Sequence, residues 1–551
     1  MIIKKLVIKN FKKFNQVSVP LEFNDDINII VGDNESGKST VLEAIELCTN
    51  LQYRGRALAQ ELTTDLFNHG CIEKYLASPK AQTDLPEILI EAYVEGCPDH
   101  QGTNNTLGED TEGFFIRVFF NEDLAPAYQE FIRDPDRVKT LPVEFYAFEW
   151  YSFAWKHLSP FNKQFKALFI DPTRLHPTFG KARYINNILE SALDQSDRSK
   201  LNLNFRQLKA TFDEEDEVVA INKGLDAEDE ISDKNLKITA DITSNASWES
   251  NLQLTADNIA FNHIGKGEQA QIQIKLALAN KANGVDILMV EEPENHLSHV
   301  NLARLVEFIE CKNEGRQVFL TTHSSYVLNK LSIDKLCLLG NGYIRLNSIE
   351  ADTVKTIKRL PGYDTLRVVL ASKVILVEGP SDELLVKKVF LDKHKCLPEA
   401  LGIDVVVVRG IGFKHYLNVV KHLGNISHVI KDNDGDYSKN IEGWIADYVE
   451  YDFIKCFSPS DNEHRSLEPA LIRSNATDDD TLDSYAKIAL STQTYKVYET
   501  CDSLEAKITF LENWYVGDGG ASKKVDSAIR IFDAQNPIVI PTYLEEAVTF
   551  D

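Results

Sequence analysis

The sequence predicts an α/β protein in two parts: a nucleotide-binding α/β domain interrupted by a helical arm, then a smaller Rossmann-like α/β domain. Three observations carry this. A strand-length apolar run, Ile27-Asn28-Ile29-Ile30-Val31, stops at Gly32 and passes through a glycine-rich loop straight into helix-forming residues. A second apolar run, Ile287-Leu288-Met289-Val290, ends on the paired carboxylates Glu291-Glu292. Beyond residue 370, further apolar runs end at Glu378, at a glycine turn and at an acidic cluster, as buried parallel strands do when they carry a site at their carboxyl edge.

The loop after the first run, Gly32-Asp33-Asn34-Glu35-Ser36-Gly37-Lys38-Ser39-Thr40, has the spacing G-x-x-x-x-G-K-S. Between a strand and a helix this is a phosphate-binding loop. Successive amides from Gly32 through Asn34 and Gly37 to Thr40, with the positive end of the helix, would hold the phosphates of ATP. Lys38 would reach the β- and γ-phosphates, and the Ser39 hydroxyl would hold Mg²⁺.

Composition narrows the class. The 551 residues carry a formal net charge of −25, which weighs against general coating of nucleic acid while allowing a local basic groove or a carboxylate-held cation to bind it. No early run has the layout of a secretion signal, and no stretch of about eighteen apolar residues occurs, so a cytoplasmic protein without membrane spans is expected. The 8 cysteines are scattered without a C-x-x-C pair and read as reduced thiols.

Upstream of the loop, residues 1–21 alternate as a β-hairpin around the basic turn Asn10-Phe11-Lys12-Lys13-Phe14. Lys12 and Lys13 could face the nucleotide, though a solvated turn is the simpler reading. Strands are expected at 85–93, 113–120 and 167–170, the last leading to a strand-end arginine, Arg174. The aromatic stretch at 143–155 could stack on bases but reads better as sheet packing. Residues 181–237 read as a charged helical arm. Regular structure is expected to resume at 252–259. The loop His263-Ile264-Gly265-Lys266-Gly267-Glu268-Gln269 then precedes a helix expected at 270–280 and forms a second candidate anion site. At the acidic strand end, Glu291 would orient the Mg²⁺ shell and Glu292 would polarise the attacking water. The next apolar run, 317–320, ends near His323, placed to sense the γ-phosphate.

This ordered series, over about residues 1–345, resembles the ABC-type ATPases of the SMC and RecF kind. The resemblance implies a homodimer of heads that sandwich ATP, with a signature loop, here Gly265, Gly267 and Gln269, closing on the partner's nucleotide. This chain has Gly265-Lys266-Gly267-Glu268-Gln269 where many relatives have Leu-Ser-Gly-Gly, and it lacks a clear glutamine loop. The ATPase domain is expected at 1–348, a connector at 349–370 and the second domain at 371–551.

In that second domain the run 373–377 ends at Glu378-Gly379-Pro380-Ser381-Asp382-Glu383, the run 405–408 ends at Arg409-Gly410-Ile411-Gly412, and the run 427–430 leads to Asp432-Asn433-Asp434-Gly435-Asp436. Hard oxygen ligands at one sheet edge suit a divalent cation. A calcium loop of the EF-hand kind is excluded, because its glycine and glutamate positions hold Tyr437 and Gly443. Glu378-Gly379 with a later D-x-D resembles the Toprim domain. Behind an SMC-like ATPase, the whole resembles the OLD (overcoming lysogenization defect) family of ATP-dependent endonucleases. Ser466-Leu467-Glu468 and Ser522-Lys523-Lys524-Val525-Asp526-Ser527-Ala528 resemble two further family motifs. Val525 replaces a threonine, leaving Lys523 or Lys524 as the functional lysine, with Lys524 favoured.

The resemblance implies two Mg²⁺ or Mn²⁺ ions, one on Glu378, Asp432 and Asp434, the other on Asp382, Glu383 and Glu468. Lys524 would stabilise transition-state charge. It further implies DNA as substrate, a role in antiphage defence, and a neighbouring-gene partner such as a helicase or a reverse transcriptase. The alternative is a nucleotide-gated repair or scaffold ATPase whose Toprim domain binds DNA or a partner without cleaving.

Overall fold

A computed structural model of the chain describes residues 1–551 other than 17–19, 55, 135–137, 160–162, 164, 172–194, 226–236, 240–254, 280–284, 296, 313–314, 341, 360–363, 410–411, 518 and 551. Arg174, both flanks of the arm, the start of the regular structure expected at 252–259, and Gly410 with Ile411 lie outside the described residues. These residues gather into two compact units, Met1–Asn28 with Gly37–Thr322, and Ile29–Ser36 with His323–Asp551.

In the first unit β1 (Ile2–Phe11) and β2 (Phe14–Gln16) form the expected hairpin, Phe11 opposite Phe14. The buried strand β3 (Ile27–Gly32), which from Ile29 belongs with the second unit, leads through the phosphate loop to α1 (Lys38–Asn50) of the first. Then β4 (Ile88–Glu95), β5 (Thr111–Phe120) and β6 (Tyr146–Ser152) complete an antiparallel sheet in the order β6-β5-β4-β1-β2. Period-two alternation sends Ile3, Leu6, Ile8, Ile88, Ile90, Ile116 and Val118 into the core, where α1 packs against β1, β4 and β5. The aromatic stretch serves this sheet: Trp150 and Phe153 are fully buried, and of its large rings only Trp155 is more than half exposed, at 59%.

Further along come β7 (Ala167–Ile170), the arm helices α2 (Gln195–Asp213) and α3 (Asp216–Leu225), α4 (Lys266–Ala279), β8 (Ile287–Glu291) and β9 (Gln317–Thr321). Strands β7, β8 and β9 run parallel. The amide of the buried Gln317 accepts from Ile3 N–H and donates to Ile3 O, both at 2.7 Å, tying β9 to β1. Helix α4 begins four residues earlier than the sequence suggested, because Gln269 N–H already donates to Gly265 O at 3.0 Å.

In the second unit, after α5 (Ser325–Leu331), β10 (Leu336–Leu339) runs parallel to β3 and turns back as β11 (Tyr343–Arg345). Two short helices, α6 (Ala351–Arg359) and α7 (Thr365–Leu370), follow. Then come β12 (Lys373–Val377), α8 (Pro380–His394), β13 (Ile403–Val407), α9 (Phe413–Leu423), β14 (Ile426–Ile430) and β15 (Ile454–Phe457). The strands form a four-stranded, all-parallel sheet in the order β13-β12-β14-β15. Alternate residues go to opposite faces: Ile375, Val377, Val405 and Ile430 pack beneath α8, while Val374, Leu376, Val406 and Val429 pack beneath α9. The chain closes with α10 (Leu467–Asn475), α11 (Leu504–Val516), α12 (Gly520–Asp533) and α13 (Thr542–Ala547), all on the α8 side.

Gly32, where β3 becomes the loop, leaves no space for a side chain. A Cβ there would lie 2.2 Å from the Leu339 carbonyl oxygen and 2.5 Å from Ser36 Oγ. Gly32→Ala is therefore expected to cost about 1–3 kcal/mol, read from denaturant unfolding, and an unchanged midpoint would contradict this packing.

Candidate nucleotide loop and carboxylate centre

The phosphate loop has the backbone its glycines predict. Gly37 sits at φ 103°, a left-handed conformation natural only to glycine, and a Cβ there would come within 3.2 Å of the Phe14 ring. Asp33, Asn34 and Glu35 form an exposed crest, while Lys38 and Thr40 are buried and Ser39 partly so. The basic turn lies against the phosphate loop, with Lys13 exposed and its Cγ 3.6 Å from where a Cβ on Gly37 would stand. Lys12 forms an ion pair with Glu43, whose side chain is fully buried on α1 and also faces Arg54.

In the same unit α1 packs across β8 and β9. Glu291 ends β8 and is buried. Glu292 follows at φ 41°, held there by its N–H, which bonds to Thr321 O and Oγ1, each at 3.1 Å, and by Asn295, whose amide donates to Glu292 Oε2 at 2.5 Å. A non-glycine residue in the left-handed region stores about 1–3 kcal/mol and marks a site whose surroundings dictate its shape. In the signature-like segment Gly265 is exposed, whereas Gly267 and Gln269 are buried in the first turn of α4. The Gln269 amide donates to Phe261 O and Ile264 O at 2.7 and 2.9 Å, so it fixes the turn entering the helix. His323 is exposed just past β9.

The second centre lies at the carboxyl edge of the parallel sheet. Glu378 directly follows β12, and its Oε1 accepts from Asp432 N–H at 3.2 Å, joining the ends of β12 and β14. Asp382 in the first turn of α8 accepts from Gly379 N–H at 3.0 Å. Glu468, in the first turn of α10, is buried and paired with Lys524 of α12 at 2.8 Å. Lys523 points elsewhere, its ammonium donating to Trp514 O. Asp434 is exposed at φ 52°.

These groups feel one another. Burial, reinforced by Glu378, Asp382 and Glu468, pushes the Asp432 carboxyl from 3.8 up to about 8, with Lys524 pulling the other way. Burial and Glu468 push Asp382 up to about 7. Burial also raises Glu378, against the Asp432 amide and the charge of Lys431. Of the expected ligands only Glu383 stands apart, bound to Lys387 at 2.8 Å. Among the described residues no three His, Cys, Asp or Glu side chains already stand as a ligand set. The donors are all hard oxygens, which fits Mg²⁺ or Mn²⁺.

Two residues here carried no sequence signal. Asn433, between the two aspartates, is fully buried and holds the loop through its amide to Pro459 O and Asp461 O, at 2.8 and 2.9 Å, and through its carbonyl to Asn440. Tyr543 on α13 brings a phenol whose oxygen is closed to solvent. Asp436 is a turn residue, accepting from Lys439 N–H.

Comparison with known proteins gives three matching families: "AAA ATPase domain" over residues 1–86, "AAA domain, putative AbiEii toxin, Type IV TA system" over 147–329, and "Overcoming lysogenization defect protein-like, TOPRIM domain" over 369–434. The chain is similar to endonuclease GajA of Bacillus cereus (strain VD045), 23% identical over 478 residues that cover 80% of this chain and 76% of the relative. It is also similar to the DNA replication and repair protein RecF of Ruminiclostridium cellulolyticum, 38% identical over 129 residues that cover 22% of this chain and 33% of the relative. Among solved structures, the recombination mediator protein RecF with ATP aligns at 14% identity and a TM-score of 0.33, covering 62% of this chain and 99% of that chain. Fold and motifs define an enzyme class, an ABC-type, SMC/RecF-like ATPase domain joined to a Toprim nuclease domain. Within that class the chain resembles the OLD family, through the match at 369–434 and the similarity to endonuclease GajA over most of its length. Among the described residues no helix is long and apolar enough to cross a membrane.

The raised carboxyls give a pH dependence of definite sign. Between the ordinary aspartate value of 3.8 and about 7 to 8, the folded chain holds protons on Asp382 and Asp432 that the unfolded chain has released. Stability contributed by this centre therefore falls as pH rises through that window and levels off above it. Unfolding of the metal-free protein followed from pH 4 to 9 should show that decline, and Asp432→Asn should flatten it. A variant with the parental slope would contradict the electrostatic coupling.

Proposed function

We propose that the chain is an ATP-binding, divalent-cation-dependent DNA endonuclease in which the carboxylate centre at the ends of β12 and β14 cuts the phosphodiester. The observation that carries this reading is the meeting of Glu378, Asp382, Asp432 and Glu468, from three separate chain segments, beside the Lys524 ammonium. The similarity to a relative named an endonuclease, over most of both chains, supports it. Glu378, Asp432 and Asp434 would hold one Mg²⁺ or Mn²⁺, and Asp382 with Glu468 a second, Glu383 staying with Lys387 on the rim. Cations held there supply Lewis acidity and a water acidified toward neutral pH.

The residues' own tasks follow from their chemistry. Lys524 pairs with the buried Glu468 and presents a cation to an incoming phosphate. Asn433 holds the loop that carries Asp432 and Asp434. In the ATPase domain Lys38 and the loop amides bind the phosphates of ATP, Ser39 and Glu291 serve its Mg²⁺, and Glu292 polarises the attacking water. Gly265, Gly267 and His323 act at that nucleotide too, with Gln269 shaping the turn. ATPase heads pairing as a homodimer would regulate the nuclease. The setting is a bacterial cytoplasm, in defence against phage, beside a neighbouring-gene partner such as a helicase or reverse transcriptase.

A second reading, a nucleotide-gated scaffold or repair ATPase that binds DNA without cutting, is favoured by one observation, the lack of a ready ligand set among the described residues. Plasmid DNA separates the two. With Mg²⁺ or Mn²⁺ the purified protein should cut it, and Asp432→Ala or Glu378→Ala should abolish cutting without altering the circular dichroism spectrum. Binding without cutting under every cation would favour the scaffold, and undiminished cutting by the variants would reject the site.

A further inference from the structure

The last helix brings to the carboxylate centre a hydroxyl that no motif announces. Helix α13 packs against β14, β15 and α8, and Asp432 follows the first of these while Asp382 opens the last. Its far end is pinned. His428 on β14 donates from Nδ1 to Ala547 O at 2.7 Å, and Phe550 lies flat on the His428 ring, centroids 4.0 Å apart and planes 1° from parallel. Leu544 and Ala547 are fully buried. A helix fixed along its buried face and at its end gives Tyr543, in its first turn, one direction.

The Tyr543 ring packs on the apolar cluster beneath α8 and is partly open, but its hydroxyl oxygen is closed to solvent and has no hydrogen-bond partner. Phe550 lies beside Lys373 at the start of β12, and Ala547 meets His428 in the middle of β14, so the first turn of α13, with Tyr543, lies toward the carboxyl edge that carries Asp382, Asp432 and Glu468. A phenol carries its proton at neutral pH and so offers a hydrogen-bond donor, a form that burial and the neighbouring carboxylates favour. A buried O–H without an acceptor destabilises the free protein, and phenylalanine would fill the same space without that penalty. The oxygen gains a use when an acceptor arrives.

We propose that Tyr543 belongs to the Toprim centre as a hydrogen-bond donor to an anionic oxygen that arrives with the ligand, either a non-bridging oxygen of the scissile phosphate or an oxygen in the shell of the bound cation. This deepens the nuclease reading and rests on it for the phosphate alternative. The role needs a phenol held at fixed depth, which is what the His428–Ala547 bond and the Phe550 stack provide.

Tyr543→Phe in the full chain tests it, since the ring remains and only the oxygen goes. The metal-free variant should melt at or above the parental temperature. A fall of several degrees would show that the hydroxyl already has a structural partner, and would overturn the proposal. Mn²⁺ binding by calorimetry and plasmid cutting at saturating Mn²⁺ then separate the two sources of the oxygen. Weaker Mn²⁺ binding assigns it to the cation's shell. Unchanged binding with cutting slowed about tenfold to hundredfold assigns it to the phosphate. Parental values for both overturn the proposal. If the parental protein cuts nothing while Tyr543→Phe still weakens Mn²⁺ binding, the donor stands and the nuclease reading falls.

Discussion

Like-charged carboxylates gathered at the carboxyl edge of a parallel sheet, from the exposed Glu378 through the half-buried Asp382 and Asp432 to the buried Glu468, are the constraint on which the C-terminal unit depends. Removing a carboxylate from water is unfavourable, and placing several side by side compounds the effect. Asp432 and Asp382 answer it by holding protons near neutral pH, and Glu378 shifts in the same direction. The nearby cations, Lys524 and Lys431, offset only part of the repulsion. On the nuclease reading, positive charge added among these oxygens would relieve the repulsion, so proton and cation would compete for them.

The rest of that unit is arranged to stop the carboxylates from relieving this strain by moving apart. Parallel strands β12 and β14 deliver Glu378 and Asp432 side by side, and the Asp432 amide is bonded to Glu378 itself. The Asp382 carboxylate is tied to the Gly379 amide at the start of α8, which costs it rotational freedom but lowers its energy at a helix N-terminus. Asn433 anchors the loop from beneath through four hydrogen-bonded neighbours, leaving Asp434 outside. On the far side, the Glu468–Lys524 pair draws α10 to α12, and the buried His428 locks α13 in place. The firmest of these restraints come from the fully buried Asn433 and His428.

Much of this was legible in the sequence because it is written locally. Apolar runs of strand length ending in glycine or carboxylate announced β3, β8, β12 and β14, and the spacing of Gly32, Gly37, Lys38 and Ser39 announced the phosphate loop. Glu378 and Asp382, four residues apart across a strand end and a helix start, fall on one side by geometry alone. What escaped was written in tertiary contacts. Lys12 finds Glu43 thirty-one positions away, a pairing no periodicity encodes. Glu383 neighbours Asp382 in sequence, yet the helix turns it toward Lys387. Gln269 looked like part of an open loop until the α4 hydrogen bond from its own amide drew it into a helix. Tyr543 sits in a segment without motif character, and its meaning depends wholly on where α13 docks.

The acidic balance of the chain, −25 overall, belongs to the same argument. A phosphodiester approaching the centre without a cation would meet Glu378, Asp382, Asp432 and Glu468 before it met Lys524, and long-range repulsion from the body of the protein would act in the same direction. On the nuclease reading, a divalent cation reverses both effects at one place: it relieves the carboxylates of their mutual repulsion and gives the phosphate an attractive partner. Binding of cation and DNA would then be mutually reinforcing, since each lowers the electrostatic free energy of receiving the other. Elsewhere on the surface the repulsion persists. On that reading, a strongly acidic protein would handle DNA at a single site without adsorbing along its length.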